Sequence, residues 1–269
     1  MKLLSLLLSL GVIVLPALAA TDTVESKSVV EEVGVVTASI SNTNTNADSD
    51  ADTDAAYDKN TCKPGPHNKS NPFPEPDARA PDHFYFLIPT TVQEDTGWII
   101  FEVNRTWAPL GVDRFYSLAT DNYYDCAALF RVIRNFVVQW GIASSPDESA
   151  KWDTTITDDP VLLSNTVGTV SFATAGPGTR TTQIFVNTVD NLSLDSQGFA
   201  PFAKVVSGMN ILTSTILNVP SPVPDQGLYQ TKGNTWLLPK YPDIDIIKGK
   251  GSVLINDDDK MAKIKYNIH

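Results

Sequence analysis

Two segments of the chain, Phe130 to Gly141 and Ser171 to Asn187, carry polar side chains within otherwise apolar, strand-like sequence. Their alternating apolar and polar residues predict half-buried β-strands, with a turn at Gly176 to Thr179 in the second segment. Residues two apart on a strand share a face, so the amide of Gln183 is expected beside the ring of Phe185. A guanidinium and two amides among aromatic rings would form an apolar pocket with polar anchors. The side chains expected to form it are those of Arg131, Phe136, Gln139, Gln183 and Phe185.

The order and spacing of these residues resemble the cyclophilins, a family of peptidyl-prolyl cis-trans isomerases. In that family an arginine is followed five residues later by phenylalanine and after three more by glutamine. Arg131, Phe136 and Gln139 keep this spacing. The stretch from Ala173 to Phe185 is similar to a second family segment, in which a small-residue strand runs into Ala-Gly-Pro, a turn and Gln-x-Phe. The dipeptide Leu194-Asp195 matches the next pocket-edge pair of the family.

The resemblance extends from roughly Phe84 to Ile247 and implies a mainly β fold. The expected architecture is a closed eight-stranded antiparallel barrel capped by two helices. Helix-like patterns occur at Trp107 to Ala119 and after a serine cap at Ser207. Besides the two pocket segments, short strand patterns lie near His83, Gly97, Gly198 and Asp243.

The resemblance also implies an activity, acceleration of rotation about X-Pro peptide bonds to assist protein folding, with no cofactor and no metal ion. It places Arg131, Phe136 and Gln139 in the catalytic positions, with the arginine as the donor to the twisted amide. The expected partners are proline-containing peptides or unfolded proteins, bound by a monomer. The residues implied to bind them are Val137, Ala173, Thr174, Gln183, Phe185, Leu194 and Phe199.

Several residues depart from the family's pattern. Ser193 stands where many members have tryptophan before the Leu-Asp pair, and one extra residue follows near Gly198. The altered rim keeps an alternative open, a non-catalytic proline-peptide binding module or scaffold. A more distant alternative is a secreted acidic glycoprotein whose barrel is purely structural. Two segments longer than in minimal members, Ser144 to Asn165 and Asn218 to Leu238, are candidates for a lid or a partner surface.

The first 19 residues have the pattern of a cleaved signal peptide, because Ala17-Leu18-Ala19 follows an apolar run that is too short to span a bilayer. Residues 20–75 are expected to form a disordered acidic linker, residues 76–250 the cyclophilin-like domain and residues 251–269 a tail. Within the linker, Thr21 to Asn60 carries nine acidic residues and two lysines, so it holds seven of the eleven net negative charges. The pattern predicts a secreted or lumenal protein of the secretory pathway without stable membrane insertion.

The chain has two cysteines, Cys62 and Cys126. An oxidising route would allow a disulfide between them, but two free thiols fit the sequence equally well. Three N-glycosylation motifs begin at Asn68, Asn104 and Asn191 and would be acceptors in a eukaryotic host. A glycan at Asn191 would interfere with peptide entry.

Other classes of function lack support in the sequence. Alternating aspartates at Asp48 to Asp54 have Thr53 and Lys59 where a calcium loop needs glycine and glutamate. The three histidines, His67, His83 and His269, have neither metal-ligand spacing nor a neighbouring nucleophile. The net charge of −11 argues against a nucleic-acid partner.

Overall fold

The computed structural model of the chain describes residues 61–62, 78–92, 98–215, 222–249 and 251–255. Its eight strands are β1 (His83–Pro89), β2 (Trp98–Asn104), β3 (Arg131–Ile133), β4 (Val137–Trp140), β5 (Thr169–Phe172), β6 (Ile184–Asn187), β7 (Pro201–Ser207) and β8 (Ser252–Leu254). They form one antiparallel sheet in the order β3-β4-β6-β5-β7-β2-β1-β8. The mainly β class predicted from the sequence is confirmed.

The sheet is not closed, so the closed barrel predicted from the sequence is wrong in that detail. The series of described strands ends at β3 on one side and β8 on the other. The predicted strand near Asp243 is absent: Ile246 bridges Ala128 while the next residue, Ile247, bridges Thr90. Because Ile246 and Ile247 each pair with a different segment, these residues do not form a continuous ladder with a neighbouring strand. The last strand is instead β8, which pairs with β1 and lies in the stretch predicted to be a tail.

Four α-helices are described: α1 (Pro109–Thr120), α2 (Pro146–Lys151), α3 (Gln226–Lys232) and α4 (Asn234–Lys240). The two-helix prediction was therefore too low, since α2, α3 and α4 come from the two longer segments. A 3-10 helix spans Leu192–Gln197 and a π-helical turn spans Ile211–Thr215. Ser207 ends β7 rather than capping this turn, whose first bonds run to the carbonyl of Gly208. No helix in the described ranges is both long and apolar enough to cross a membrane.

The two faces of strands β4, β5 and β6 have different surroundings. Alternate residues such as Val138, Trp140 and Val186 join a large buried core with the rings of α1, β1 and β7. The residues between them, including Val137 and Phe185, belong to a separate apolar cluster. Since alternate side chains of a strand point to opposite faces, the second cluster lies across the sheet from the core.

Cys62 and Cys126 are joined by a disulfide, with their Cα atoms 5.9 Å apart. Cys62 lies in the stretch predicted to be linker, and its side chain packs against a second buried cluster that includes Phe130 and Tyr229. The hydroxyl of Tyr229 accepts from the backbone N–H of Ala128 at 3.0 Å. The disulfide therefore joins the start of the domain to the residues that lead into β3. The remainder of the predicted linker and the signal peptide lie outside the described residues.

Candidate active site

The polar side chains predicted from the sequence form a hydrogen-bonded row that runs from β3 through β4 to the residue before β6. The Nη1 atom of Arg131 donates to Oε1 of Gln139 at 2.8 Å. The Nε2 atom of Gln139 donates in turn to Oε1 of Gln183 at 2.7 Å. Gln139 is 6% exposed, and burial lowers the pKa of Arg131 from its ordinary value. An arginine remains charged at neutral pH despite such a shift, so the row ends in a half-buried cation with several donors.

A hairpin brings Arg131 and Gln139 together. The first pocket segment is two short strands rather than the single predicted one, and Arg131 faces Gln139 across them. The chain reverses at Arg134 and Asn135, where the asparagine has a φ of 55°. Asparagine tolerates this left-handed conformation better than most residues. The turn thus places the guanidinium directly opposite the amide.

A glycine fixes the distance between the end of β4 and the residues before β6. Gly141 has a φ of 108°, and a Cβ atom there would lie 2.5 Å from the carbonyl oxygen of Thr182. Only glycine allows so close an approach. Because Thr182 immediately precedes Gln183, this close approach helps to set the distance between the side-chain amides of Gln183 and Gln139.

An apolar cluster lies next to the polar row. Three of its side chains are buried, and Phe185 and Phe199 meet edge to face with ring centroids 5.5 Å apart. Every member was predicted from the sequence to contact the substrate: Phe136, Val137, Ala173, Phe185, Leu194 and Phe199. Phe136 is half-buried, so its ring remains partly accessible from solvent. The cluster therefore offers aromatic and aliphatic surface beside the charged donor.

The backbone of Ala173 is already partly used within the domain. The N–H of Ala173 is already bonded to the carbonyl oxygen of Gln183 at 2.9 Å, so it is not available to pair with a peptide. Backbone pairing at this edge would have to use the Ala173 carbonyl or the backbone of Thr174. The Thr174 hydroxyl contacts the Gly176 carbonyl and the Thr179 hydroxyl, which fold the next loop back on itself.

Three buried asparagines, Asn165, Asn187 and Asn191, form a hydrogen-bonded network that was not predicted from the sequence. Asn165 is fully buried, and its Nδ2 atom donates to the carbonyl of Phe199 and to Oδ1 of Asp195, both at 2.8 Å. The Nδ2 atom of Asn187 donates to Oδ1 of Asn165 at 3.2 Å. Burial acts to raise the pKa of Asp195, but hydrogen bonds from the side chain and backbone of Asn165 and from the side chain of Ser164 outweigh it and lower that pKa. This network holds the segments that carry Leu194 and Phe199.

The third asparagine, Asn191, is one of the predicted glycosylation acceptors, and its surroundings in the folded chain would oppose a glycan there. Its side chain is 9% exposed, and Nδ2 donates to the Phe136 carbonyl at 2.9 Å and to Oδ1 of Asn187 at 2.8 Å. An N-linked glycan leaves one N–H on that atom, so one of these bonds would be lost and the sugar would enter a buried site. Asn104 is less buried, with its Oδ1 atom accepting from Thr106. Asn68 lies outside the described residues.

No group of three His, Cys, Asp or Glu side chains that could hold a metal ion occurs in the part of the chain that the structure describes. The described side chains that come together here are a charged donor, two amides and an apolar cluster. Such an arrangement can bind a peptide and stabilise charge that develops on it.

Comparison with known proteins identifies the arrangement. The sequence model of the family described as "Cyclophilin type peptidyl-prolyl cis-trans isomerase/CLD" matches residues 88–225, just over half of the chain and the range that holds the whole site. The chain belongs to the cyclophilin family. As a member it is a cyclophilin-type peptidyl-prolyl cis-trans isomerase, as its sequence resemblance implied.

Curated relatives have the same activity in their names. A peptidyl-prolyl cis-trans isomerase of Acinetobacter baylyi is 32% identical over 164 residues, which cover 58% of this cyclophilin and 82% of the relative. Peptidyl-prolyl cis-trans isomerase B of Escherichia coli is 31% identical, with 45% of this chain and 80% of the relative covered. Among solved structures, a cyclophilin-type isomerase of Cryptosporidium parvum matches 65% of this chain and 98% of its own, with 22% identity and a TM-score of 0.47.

The rim of this cyclophilin differs from the family's pattern at Ser193. The residue is exposed, and its carbonyl accepts from the Ser196 hydroxyl at 3.1 Å and from Nε2 of Gln197 at 3.0 Å. The neighbouring Leu194 is 2% exposed and belongs to the apolar cluster. A small exposed hydroxyl side chain therefore stands at this position, in a turn held by bonds from the Ser196 and Gln197 side chains to the backbone.

Proposed function

We propose that the isomerase lowers the barrier to X-Pro rotation by donation from Arg131 to the amide nitrogen of the twisted bond. The planar amide is resonance-stabilised, with a rotation barrier of about 18 to 20 kcal/mol. In the twisted state the nitrogen regains a lone pair, and a positioned donor stabilises that state more than the planar one. No bond is made or broken, so a nucleophile is not needed.

The observation that carries this proposal is the hydrogen-bonded row that ends at Arg131 beside the apolar cluster. The bond to Gln139 uses one of the five N–H donors of the guanidinium and fixes its orientation. Phe136, Phe185 and Leu194 supply the surface that would enclose a proline ring. Gln183 and the Ala173-Thr174 edge would hold the peptide on either side.

The proposal is tested by exchange spectroscopy on an Ala-Pro peptide with the purified wild-type domain. We expect faster cis-trans exchange in proportion to enzyme concentration. Peptide binding without any acceleration would contradict the proposal and favour the binding-module alternative.

We further propose that the isomerase acts in the secretory route, on proline-containing segments of unfolded proteins. The sequence pattern of a signal peptide and the Cys62–Cys126 disulfide both support an oxidising compartment. The mature chain is expected to begin at Ala20 or Thr21, since the small-residue cleavage pattern ends at Ala19. N-terminal sequencing of protein secreted by an expression host measures this directly. Recovery of Met1 from the secreted fraction would contradict it.

Ser193 predicts weak inhibition by cyclosporin, which family members hold with a tryptophan at this position. Without the indole, a ligand carbonyl loses its donor and aromatic area is not buried. We expect Ser193→Trp to tighten binding by about tenfold or more, the effect of one hydrogen bond together with apolar burial. The substitution keeps the backbone bonds of Ser193, because both use its carbonyl.

Titration calorimetry with cyclosporin gives the affinities. Leu192→Trp is the matched control, since Leu192 is the exposed preceding residue of the same 3-10 helix. If both variants bind cyclosporin more tightly by the same factor, the gain comes only from added apolar surface and not from the position of the indole. Tight cyclosporin binding by the wild type would show that Ser193 does not correspond to the family's tryptophan position.

A further inference from the structure

One wall of the proposed pocket is a loop between β5 and β6, residues 173–183. Its first residues, Ala173 and Thr174, and its last, Gln183, are proposed peptide contacts. The tip between them is exposed and includes Gly176 and Gly178, both with positive φ. Hydrogen bonds between Thr174, Gly176 and Thr179 fold the tip on itself, and contacts from outside the loop decide how the tip is fixed to the rest of the domain.

Asp158 contacts both the tip and the far side of this loop. Its Oδ2 atom accepts from the backbone N–H of Gly178 at 2.6 Å. Its Oδ1 atom lies 3.1 Å from Nε of Arg180 as an ion pair without hydrogen-bond geometry. One carboxylate thus joins two points of the loop, and Asp158 itself belongs to the longer segment Ser144 to Asn165.

Arg180 is the buried end of this connection, with its side chain 3% exposed. Its guanidinium pairs with Oδ2 of Asp159 at 3.2 Å, donates to the carbonyl of Thr157 and stacks on Phe172 at 5.8 Å. Asp159 in turn accepts from the backbone N–H groups of Leu110 and Gly111 at 2.9 and 2.7 Å. The pair is therefore fixed against the start of α1.

Gly111 makes room for this contact. A Cβ atom at that position would lie 3.2 Å from both Nη1 of Arg180 and Oδ2 of Asp159. A backbone bridge also joins Ile156 to Arg180. In it the N–H of Ile156 donates to the Arg180 carbonyl at 2.9 Å. The longer segment is thus joined to the pocket wall by backbone, ion-pair and side-chain contacts.

We propose that Asp158 and Arg180 are positioning residues that hold the 173–183 wall in its peptide-binding conformation, and that this is a role of the longer segment in substrate binding. The inference rests on the proposed function of the same pocket. Arg180 anchors the wall to the body of the domain, and Asp158 extends that anchor to the exposed tip. Neither residue has a described contact with the Arg131 row, so they act on peptide binding rather than on the rotation step.

Asp158→Ala is the most direct test, because Asp158 is about one-third exposed and its loss leaves the buried Arg180–Asp159 pair in place. If the wall then occupies its binding conformation about a tenth to a third of the time, KM rises about three- to tenfold while kcat stays within twofold. Asp158→Asn keeps an acceptor for Gly178 and is expected to restore most of the wild-type KM. Asp153→Ala is the matched control, an exposed aspartate of the same segment with no described contact to the wall.

Amide hydrogen exchange at Gly178 gives a readout that does not depend on activity. It should accelerate in Asp158→Ala and remain as in wild type in Asp153→Ala. Unchanged exchange would overturn the positioning inference, as would faster exchange with an unchanged KM, or a fall in kcat alone. A wild type without isomerase activity would instead contradict the proposed function, and the peptide dissociation constant of each variant would then decide the role of Asp158.

Discussion

Arg131→Ala is expected to lower kcat/KM for an Ala-Pro peptide by roughly a hundredfold or more, the scale seen when one preorganised donor is removed. The substitution deletes the half-buried cation beside the apolar cluster and leaves Gln139 and Gln183 bonded to each other. Folding should be retained, because Arg131 lies at the sheet edge outside the buried core. Exchange spectroscopy gives the rate, and circular dichroism checks the fold.

Arg134→Ala is the matched control for loss of a positive charge. Arg134 is exposed in the turn between β3 and β4, three residues from Arg131. Its removal should leave the rate within twofold of wild type. Equal rates for wild type and Arg131→Ala would rule out the assigned donor.

Phe136→Ala separates binding from the rotation step in the same assay. The half-buried ring contributes apolar surface to the cluster, so its loss should raise KM and cost about 1 to 2 kcal/mol of stability. The Phe136 carbonyl keeps its bonds from Thr188 and Asn191, both at 2.9 Å, because the substitution leaves the backbone atoms in place. A fall in kcat as large as that of Arg131→Ala would show that the ring does more than bind.

The second large effect is expected from the disulfide. Replacing both Cys62 and Cys126 by serine should lower the free energy of unfolding by about 4 kcal/mol, from the chain entropy released by opening the loop. The two cysteines are 64 residues apart in sequence, and the closed loop contains β1, β2 and α1. Urea denaturation with fluorescence detection measures the difference.

Reduction provides the control for this prediction. A reducing agent should destabilise the wild type by a similar amount and leave the double variant unchanged. If the double variant is instead within about 1 kcal/mol of the oxidised wild type, the loop-closure account is wrong. Because Arg131 has no described contact with the disulfide, the folded double variant should retain isomerase activity.

The sequence by itself was enough to propose a set of site residues and to place them on shared strand faces. Strand periodicity places alternate residues on one face whatever the surrounding fold, so Gln183 and Phe185 could be assigned to a common surface. The joint spacing of Arg131, Phe136, Gln139, Gln183 and Phe185, together with the other matching segments, was enough to indicate the family. The fold places these residues in one row and one cluster.

Only the tertiary structure decided how these residues are held. Arg131 and Gln139 meet because a hairpin reverses the chain, whereas period-two alternation fits one long strand equally well. The local sequence at Asn191 matches a glycosylation motif, yet its side-chain amide donates to Asn187 and Phe136, which lie four and 55 residues away in sequence. Asp158 reaches Gly178 across twenty residues. Burial and hydrogen-bond satisfaction depend on which distant segments meet, and a local sequence pattern does not contain that information.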